Sequence, residues 1–171
     1  MKRKGKEREG ASGRVPMIAA VCGPARKMFV HKFKGSWCAK EAETMYKNLK
    51  AFLSKNYPGR KRWLLVEDND PSGLQTKRAK RAKAACGFTS IGLPKRSPDL
   101  SPMDYAVWDH IVSKMRAAEK RMRKKESRKA HIDRLVRTIK NVDKAFLKKT
   151  QRSMRRRLQQ VLRATGGLIE E

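Results

Sequence analysis

The chain has 171 residues, of which 39% are hydrophobic, so one domain with a modest core is expected and full disorder is excluded. Lysine and arginine number 44 against 16 acidic residues, and the net charge of +28 favours a polyanionic partner such as nucleic acid without indicating any activity. Three scattered cysteines without a CxxC pair argue against disulfides and zinc. No apolar run is long enough to cross a membrane, so a soluble intracellular protein is expected.

The first half of the chain alternates short apolar runs with helical patterns. Residues 1–14, "MKRKGKEREGASGR", lack apolar periodicity and predict a disordered basic arm, in which "KRKGK" matches nuclear-import signals. The runs "VPMIAAVC" and "RKMFVHKF", separated by "GPAR", predict a β-hairpin. Helical spacing of apolar residues then predicts a helix within residues 36–60. "RWLLVEDND" predicts a buried strand ending in acids, followed by a basic helix, "LQTKRAKRAKAAC", and a short strand, "FTSIGLP".

The second half is predicted to be helical. In "KRSPDLSPMDYAVWDHI", residues 95–111, Ser101 fits an N-cap, Pro102 the first helical position and Asp104 the third. This helix carries Trp108 at core spacing and becomes almost purely charged around residues 119–129. Two more helices are predicted around residues 132–146 and 154–162. The order of elements indicates a mixed α/β fold with a helical tail.

Two acidic residues stand where strand ends and helix starts can meet. Asp68 follows the predicted strand, and Asp104 opens the helix 36 positions later. Two carboxylates at one sheet edge repel unless a cation lies between them, and Mg²⁺ prefers such oxygen ligands. Spacing alone leaves an alternative open, in which Asp104 only complements the helix dipole and "EDND" is a polar turn.

The acidic motifs resemble the catalytic core of mariner-type transposases, members of the DDE/DDD group. "LLVEDNDPSG" is similar to the family's strand ending in D-N-x-P, and "SPDLSPMD" is similar to its S-P-D-L-x-P-x-[D/E] segment. The resemblance spans roughly residues 15–167 and includes a closing helix, "SMRRRLQQVLRATGG". It implies an RNase H-like mixed sheet flanked by helices, and DNA cleavage and strand transfer with Mg²⁺ or Mn²⁺.

Carried over residue by residue, the resemblance makes Asp68 and Asp104 the second and third catalytic acids and metal ligands. It divides the chain into a partial core at residues 15–129 and a basic helical extension of the same domain at residues 130–171. It also implies DNA as the partner and a nuclear location, and it admits a homodimer as in related transposases. The other motif residues are implied to be structural: Asn69, Pro71, Ser97, Pro98, Asp99 and Pro102.

The chain departs from the family pattern ahead of residue 15. The family carries its first catalytic aspartate there, on the central strand of the sheet, whereas this chain offers only Glu7 and Glu9 in the basic arm. The family's D-N-x-P-x-H histidine is also absent, since "PSGLQT" stands in its place. We therefore expect a fragment, a decayed copy or one piece of a longer gene, which lacks the central strand and is catalytically incompetent as given.

Basic runs at residues 77–83 and 121–129 are candidates for phosphate contacts, although solvated helical faces are the usual alternative. Residues 112–157 hold 19 lysines and arginines against 4 acids, which favours DNA contact. An alternative function is a non-enzymatic basic nucleic-acid-binding protein, in which the acidic motifs serve only as structure. The residues predicted to contact DNA are Lys77, Arg78, Lys80, Arg81, Arg121, Arg123, Lys124 and Lys125.

Overall fold

The computed structural model describes residues 15–23, 26–68, 70–95 and 97–166. The expected arm at residues 1–14 and the motif residue Asn69 lie outside the described residues. The first elements are β1 (Met17–Cys22), β2 (Lys27–Lys32), α1 (Ala39–Asn56), β3 (Trp63–Glu67), α2 (Lys77–Ala85) and β4 (Phe88–Gly92). The remaining elements are a 3₁₀ turn (Pro98–Leu100), a π-helical turn (Met103–Val107), α3 (Trp108–Glu119), α4 (Arg128–Lys140) and α5 (Lys144–Arg163).

Strands β1 and β2 form the predicted hairpin. They pair antiparallel, with Met17 opposite Lys32 and Cys22 opposite Lys27. Gly23 begins the turn with a φ of +61°, and a Cβ added there would lie 2.8 Å from the Tyr57 ring. The turn therefore requires glycine both for its left-handed backbone and for this close approach of α1's end.

Strands β3 and β4 form a separate parallel pair, joined by α2 in a βαβ arrangement. Trp63 lies opposite Phe88, and Glu67 lies opposite Gly92. The mixed α/β class is confirmed, but within the described residues the strands form two two-stranded sheets instead of one continuous sheet. Among the described residues, β1 and β3 each pair on one side only, and the predicted absence of a central strand stays a prediction.

The hairpin separates two hydrophobic cores, because successive side chains of β1 point to opposite faces. Ala20 and Cys22 contact the core formed with α1, α2 and the parallel pair. Ala19 and Val21 pack against the core formed with α3, α4 and α5. The side chains that are almost fully buried in these cores are Tyr46, Leu53, Val107, Ile111, Ile139 and Leu147.

The helix that carries Asp104 begins where predicted, because Pro102 has a helical backbone and the preceding Ser101 has an extended one. The turn that follows, Met103–Val107, is π-helical instead of regular. The backbone N–H groups of Asp104 and Tyr105 both donate to the Ser101 carbonyl oxygen, at 2.9 and 3.0 Å. Ser101 therefore takes the predicted N-cap position and serves this turn through its carbonyl oxygen.

The charged stretch around residues 119–129 is not one continuous helix. Helix α3 ends at Glu119, and α4 begins at Arg128 after Ser127, whose side chain accepts a hydrogen bond from the Ala130 N–H at 3.2 Å. The proposed division after residue 129 stays a prediction. Among the described residues, no helix is both long and apolar enough to cross a bilayer.

Candidate metal and nucleic-acid site

Asp68 and Asp104 line the same cavity, although 36 positions separate them in the chain. Asp68 directly follows β3, and Asp104 lies in the first turn of the helix that continues as α3. Both side chains are exposed, and the cavity that they share has a volume of about 640 Å³. The fold thus brings the two predicted ligands to one cavity, while their role in metal binding stays a prediction.

The neighbouring carboxylate of Asp70 is occupied by hydrogen bonds. Its Oδ2 accepts from Trp37 Nε1 at 2.7 Å and from the Gly73 N–H at 2.8 Å, and its Oδ1 accepts from Ser72 Oγ at 2.7 Å. Partial burial raises the pKa of Asp70, but these hydrogen bonds outweigh burial and hold the pKa below its usual value. Asp70 therefore fixes the turn after β3 and is a poor third ligand for a metal.

Next to Asp68, the ion pair between Lys83 and Glu67 connects α2 to the end of β3. Lys83 Nζ donates to Glu67 Oε2 at 2.8 Å and to Ser90 Oγ at 3.1 Å. The Tyr46 hydroxyl donates to the other Glu67 oxygen, and burial followed by this hydrogen bond raises the pKa of Tyr46. Glu67, the residue immediately before Asp68, is therefore held by two side chains, one from α2 and one from α1.

Sequence reasoning missed Lys83, because the run at residues 77–83 was interpreted as one basic face. The structure places Lys83 on the buried face of α2, where only 5% of the residue is exposed. Ala79 lies four positions earlier and is also buried. This i, i+4 spacing from an apolar residue is the signal that distinguishes Lys83 from its exposed neighbours.

Helix α5 is held against the turn that carries Asp104. The Tyr105 hydroxyl donates to the Thr150 carbonyl oxygen at 2.7 Å, and the Arg157 guanidinium lies 4.1 Å from the centre of the Tyr105 ring. One face of this ring is therefore covered by protein, which argues against Tyr105 as a stacking platform for a base. Trp108 is half-buried against the second core, as its helical spacing predicted.

The remaining motif residues build the approach to Asp104. Pro98–Leu100 is a 3₁₀ turn closed by the Leu100 N–H, which donates to the Ser97 carbonyl oxygen at 3.1 Å. Leu100 is buried, and Asp99 is half-buried. The predicted structural residues Ser97, Pro98, Asp99 and Pro102 therefore lie in two successive tight turns, and Pro71 lies in the turn that Asp70 organises.

The eight cations predicted to contact DNA are all exposed. Four lie on α2 and four lie in the connection between α3 and α4. Arg78 also forms an ion pair with Glu43, and hydrogen bonds from Lys47 and from Arg78 lower the pKa of Glu43 to about 2. Exposure is compatible with phosphate contacts, which stay a prediction.

A second charged cluster, which sequence reasoning missed, joins the end of α3 to the start of α4. Glu119, Glu126 and His131 have potential metal-ligand atoms that lie within 4.8 Å of one another. Among the described residues, this is the group of three such side chains that could hold a metal ion. Arg134 donates to both carboxylates, and its hydrogen bond is the largest influence that lowers the pKa of Glu126. A guanidinium already occupies the position that a metal ion would need.

Comparison with known proteins gives a match in structure alone. No protein-family model and no curated protein matches the sequence at a significant level. The catalytic domain of Mos1 mariner transposase superposes with a TM-score of 0.67 at 20% identity, over 84% of this chain and 69% of that chain. The Mos1 catalytic domain with raltegravir and Mn gives a TM-score of 0.69 at 16% identity, over 95% and 88% of the two chains.

A third structure is the Mos1 transposase paired-end complex with the left transposon end. It gives a TM-score of 0.64 at 20% identity, over 99% of this chain and 52% of that chain. The chain therefore has an RNase H-like mixed α/β fold. More closely, it has the fold of a mariner transposase catalytic domain, which confirms at the level of the fold the resemblance found in the motifs.

Proposed function

We propose that the chain is a transposase-derived DNA-binding domain, in which Asp68 and Asp104 hold one divalent cation weakly. The convergence of these two motif acids on one cavity is the observation that carries the proposal. The similar structures support it, because they are of Mos1 transposase with Mn, with Mg and in a paired-end complex with the left transposon end. The activity that the resemblance to mariner-type transposases implies for such a site is metal-dependent DNA cleavage and strand transfer.

The donor set fits a hard divalent cation such as Mg²⁺ or Mn²⁺. Asp68 and Asp104 supply carboxylate oxygens at an exposed position, where water can complete the coordination shell. When bound, such an ion polarises phosphate oxygens and lowers the pKa of a bound water. The Lys83–Glu67 pair positions the strand end from which the Asp68 side chain extends.

We further propose that the 171-residue chain is catalytically incompetent. Two-metal catalysis needs enough carboxylates to fix both ions, and by resemblance the acid that bridges them is the one without a counterpart here. Asp70 does not replace it, because hydrogen bonds from Trp37 and from the following turn already occupy its oxygens. Two aspartates can retain a cation without aligning a nucleophile and a leaving group.

DNA binding follows from charge. The net charge is +28, and the exposed cations of α2 and of the α3–α4 connection offer phosphate contacts. Phosphate contacts carry no sequence information, so binding is largely independent of sequence. A nuclear location and a homodimer belong to the same proposal.

The alternative, a non-enzymatic basic nucleic-acid-binding protein, is favoured by one observation. Within the described part of the chain, the three side chains that come close enough to hold a metal ion together are Glu119, Glu126 and His131. Asp68 and Asp104, which line a different cavity, do not belong to such a group. The two functions differ in metal binding, because the alternative predicts no cation at Asp68 and Asp104.

Iron-mediated cleavage of the protein backbone distinguishes the two proposed functions, because it reports where a cation binds. Fe²⁺ replaces Mg²⁺ in oxygen-ligand sites, and with ascorbate and peroxide it cleaves the chain close to the bound ion. We expect cuts near residues 68 and 104, lost in Asp68→Asn and in Asp104→Asn and retained in Asp109→Asn, since Asp109 is exposed on the same helix. Cuts that persist in both site variants, or that occur only near His131, would support the alternative.

A further inference from the structure

We propose that the exposed basic face of α5 binds the phosphate backbone of duplex DNA and positions it beside the cavity of Asp68 and Asp104. This surface extends the proposed DNA binding, on which the inference rests, because the cations assigned so far lie on α2 and in the α3–α4 connection. Over Lys144–Arg163, α5 contains eight lysines and arginines and no acidic residue. Six of the eight form the basic face: Lys144, Lys148, Arg152, Arg155, Arg156 and Arg163.

The basic face of α5 is continuous, and all six of its side chains are exposed. At about 100° per residue, these side chains fall within an arc of about 120° and extend over about 28 Å of helix. Leu147, Thr150 and Arg157 are buried on the other side of α5. A ligand that approaches the helix therefore meets cations.

The charges of this face are not neutralised within the described part of the protein. Among the described residues, none of the ion pairs involves a cation of the basic face. Lys148, Arg152 and Arg156 follow one another at i, i+4 spacing, where like charges repel. Lys144 lies at the N-terminal end of the helix, where the helix dipole favours acids. Solvent exposure alone does not require this arrangement, whereas a row of phosphates relieves the repulsion.

The basic face borders the cavity that Asp68 and Asp104 share. Gln151 and Met154, both on α5, line that cavity. Arg155 lies one helical turn after Gln151, on the same side of α5. A hydrogen bond and a cation–ring contact from the turn of Asp104 hold α5 in this position. A DNA strand that follows the basic face is therefore brought next to the two acids.

An anionic membrane is the other partner that a basic amphipathic helix suggests. Such a helix lies on a membrane by burying its apolar side among the lipid chains. In α5 the protein core covers most of that side, since Leu147 is 1% exposed, and only the end of the helix presents a leucine, Leu162, that is 76% exposed. The side that is exposed along the whole helix is the cationic one, which favours nucleic acid.

Fluorescence anisotropy of a short labelled duplex tests this surface. The variant of the full 171-residue chain changes four cations of the basic face to Gln: Lys148, Arg152, Arg155 and Arg156. The matched control changes four exposed cations elsewhere to Gln: Lys34, Lys40, Lys55 and Lys61. Circular dichroism should show an unchanged helix content, because Gln is a good helix former. At about 0.1 M salt, DNA affinity should fall by about tenfold or more in the variant and by less than about threefold in the control.

Photo-crosslinking locates the DNA on the protein. The photoreactive residue p-benzoylphenylalanine replaces Gln159, which is exposed within the basic face, or Gln151 at the cavity. The control position is Ser54, which is exposed on α1. We expect crosslinks to the duplex from Gln159 and Gln151, a lower yield from Gln151 in the four-Gln variant, and no crosslink above background from Ser54.

Four results would overturn the proposal. Three are an equal loss of affinity in variant and control, crosslinks from Ser54 as strong as those from Gln159, and no crosslink from Gln151. The fourth is binding to phosphatidylserine vesicles that the variant loses while it keeps its DNA affinity. If the native chain and the variant bind DNA equally well, this inference fails and the proposed function stands. If the native chain binds no DNA, both fail.

Discussion

The ammonium group of Lys83 donates to the carboxylate of Glu67 at 2.8 Å, one residue before Asp68. Lys83 is buried and Glu67 is mostly buried, with 7% and 11% of their side-chain surfaces exposed. A buried charge is tolerated only with a partner, so each residue depends on the other. Through this pair, packing of α2 determines where β3 ends and therefore where Asp68 lies.

Replacing Lys83 should destabilise the protein strongly. In Lys83→Met the Glu67 carboxylate stays buried without its cation, which should lower the free energy of unfolding by about 3 to 5 kcal/mol. Urea unfolding measures this loss. Lys80→Met, an exposed position on the same helix, should change stability by less than about 0.5 kcal/mol, and equal losses in both variants would contradict the structural role of the pair.

Asp70 should make stability depend on pH at the acidic end. Its pKa lies below the usual value of 3.8, so the folded state binds the proton more weakly than the unfolded state. The stabilisation is then complete above the usual value and is lost as pH falls through the folded pKa. Asp70→Asn should lower the free energy of unfolding by about 1 to 3 kcal/mol at pH 7, with a difference from the native chain that shrinks toward pH 2.

Urea unfolding of both proteins across this pH range measures that difference. Asp133→Asn is the matched control, because it removes one carboxylate from an exposed position on α4. A difference between the native chain and Asp70→Asn that stays constant with pH would contradict the assigned hydrogen bonds.

Gly73 should not tolerate a side chain. A Cβ added there would overlap the Trp37 indole, whose N–H donates to Asp70. Gly73→Ala should therefore lower the free energy of unfolding by about 1 to 3 kcal/mol. In a Trp37→Phe background the same change should cost at least about 0.5 kcal/mol less, since the overlapping indole nitrogen is removed. A fully additive double-mutant cycle would show that the clash lies elsewhere.

The connection between α3 and α4 should contribute to DNA affinity through phosphate contacts. Changing Arg121, Arg123, Lys124 and Lys125 to Gln should weaken binding equally for unrelated duplexes. It should also reduce the slope of log K against log salt by about 3.6, which is about 0.9 for each of the four cations. Fluorescence anisotropy over a salt series measures both quantities. The control changes four exposed lysines elsewhere to Gln, at Lys34, Lys40, Lys55 and Lys61.

Two outcomes would contradict this assignment. The first is an equal loss in the control, which would mean that net charge alone sets affinity. The second is a preference of about a hundredfold or more for one short duplex, because phosphate contacts cannot supply it.

Local pattern predicted most of the elements, because apolar spacing decides which segments can form amphipathic helices and half-buried strands. The motif at Asp68 and Asp104 was also visible, since both acids adjoin turn residues of recognisable types. The hydrogen bond from Trp37 to Asp70 was not visible, because Trp37 lies 33 positions away. Partners that meet only through tertiary packing leave no local signal.

Two further features show the same limit. Arg134 neutralises Glu119 and Glu126 across a helix connection, which composition represents only as a mixed charged run. The π-helical turn at Asp104 replaces a predicted regular first turn, because the Trp108 N–H donates to the Met103 carbonyl oxygen, five positions back. Buried Lys83 is different, since its spacing from Ala79 could have placed it on the core face.

A nicking assay tests the central claim most directly: a divalent-cation site that lacks the groups for catalysis. Supercoiled plasmid is incubated with the 171-residue chain in Mg²⁺ or Mn²⁺, beside Asp104→Ala and the exposed control Asp109→Ala. We predict that none of the three proteins nicks above the protein-free rate, although the native chain binds the plasmid. Nicking by the native chain that disappears in Asp104→Ala and persists in Asp109→Ala would contradict the account.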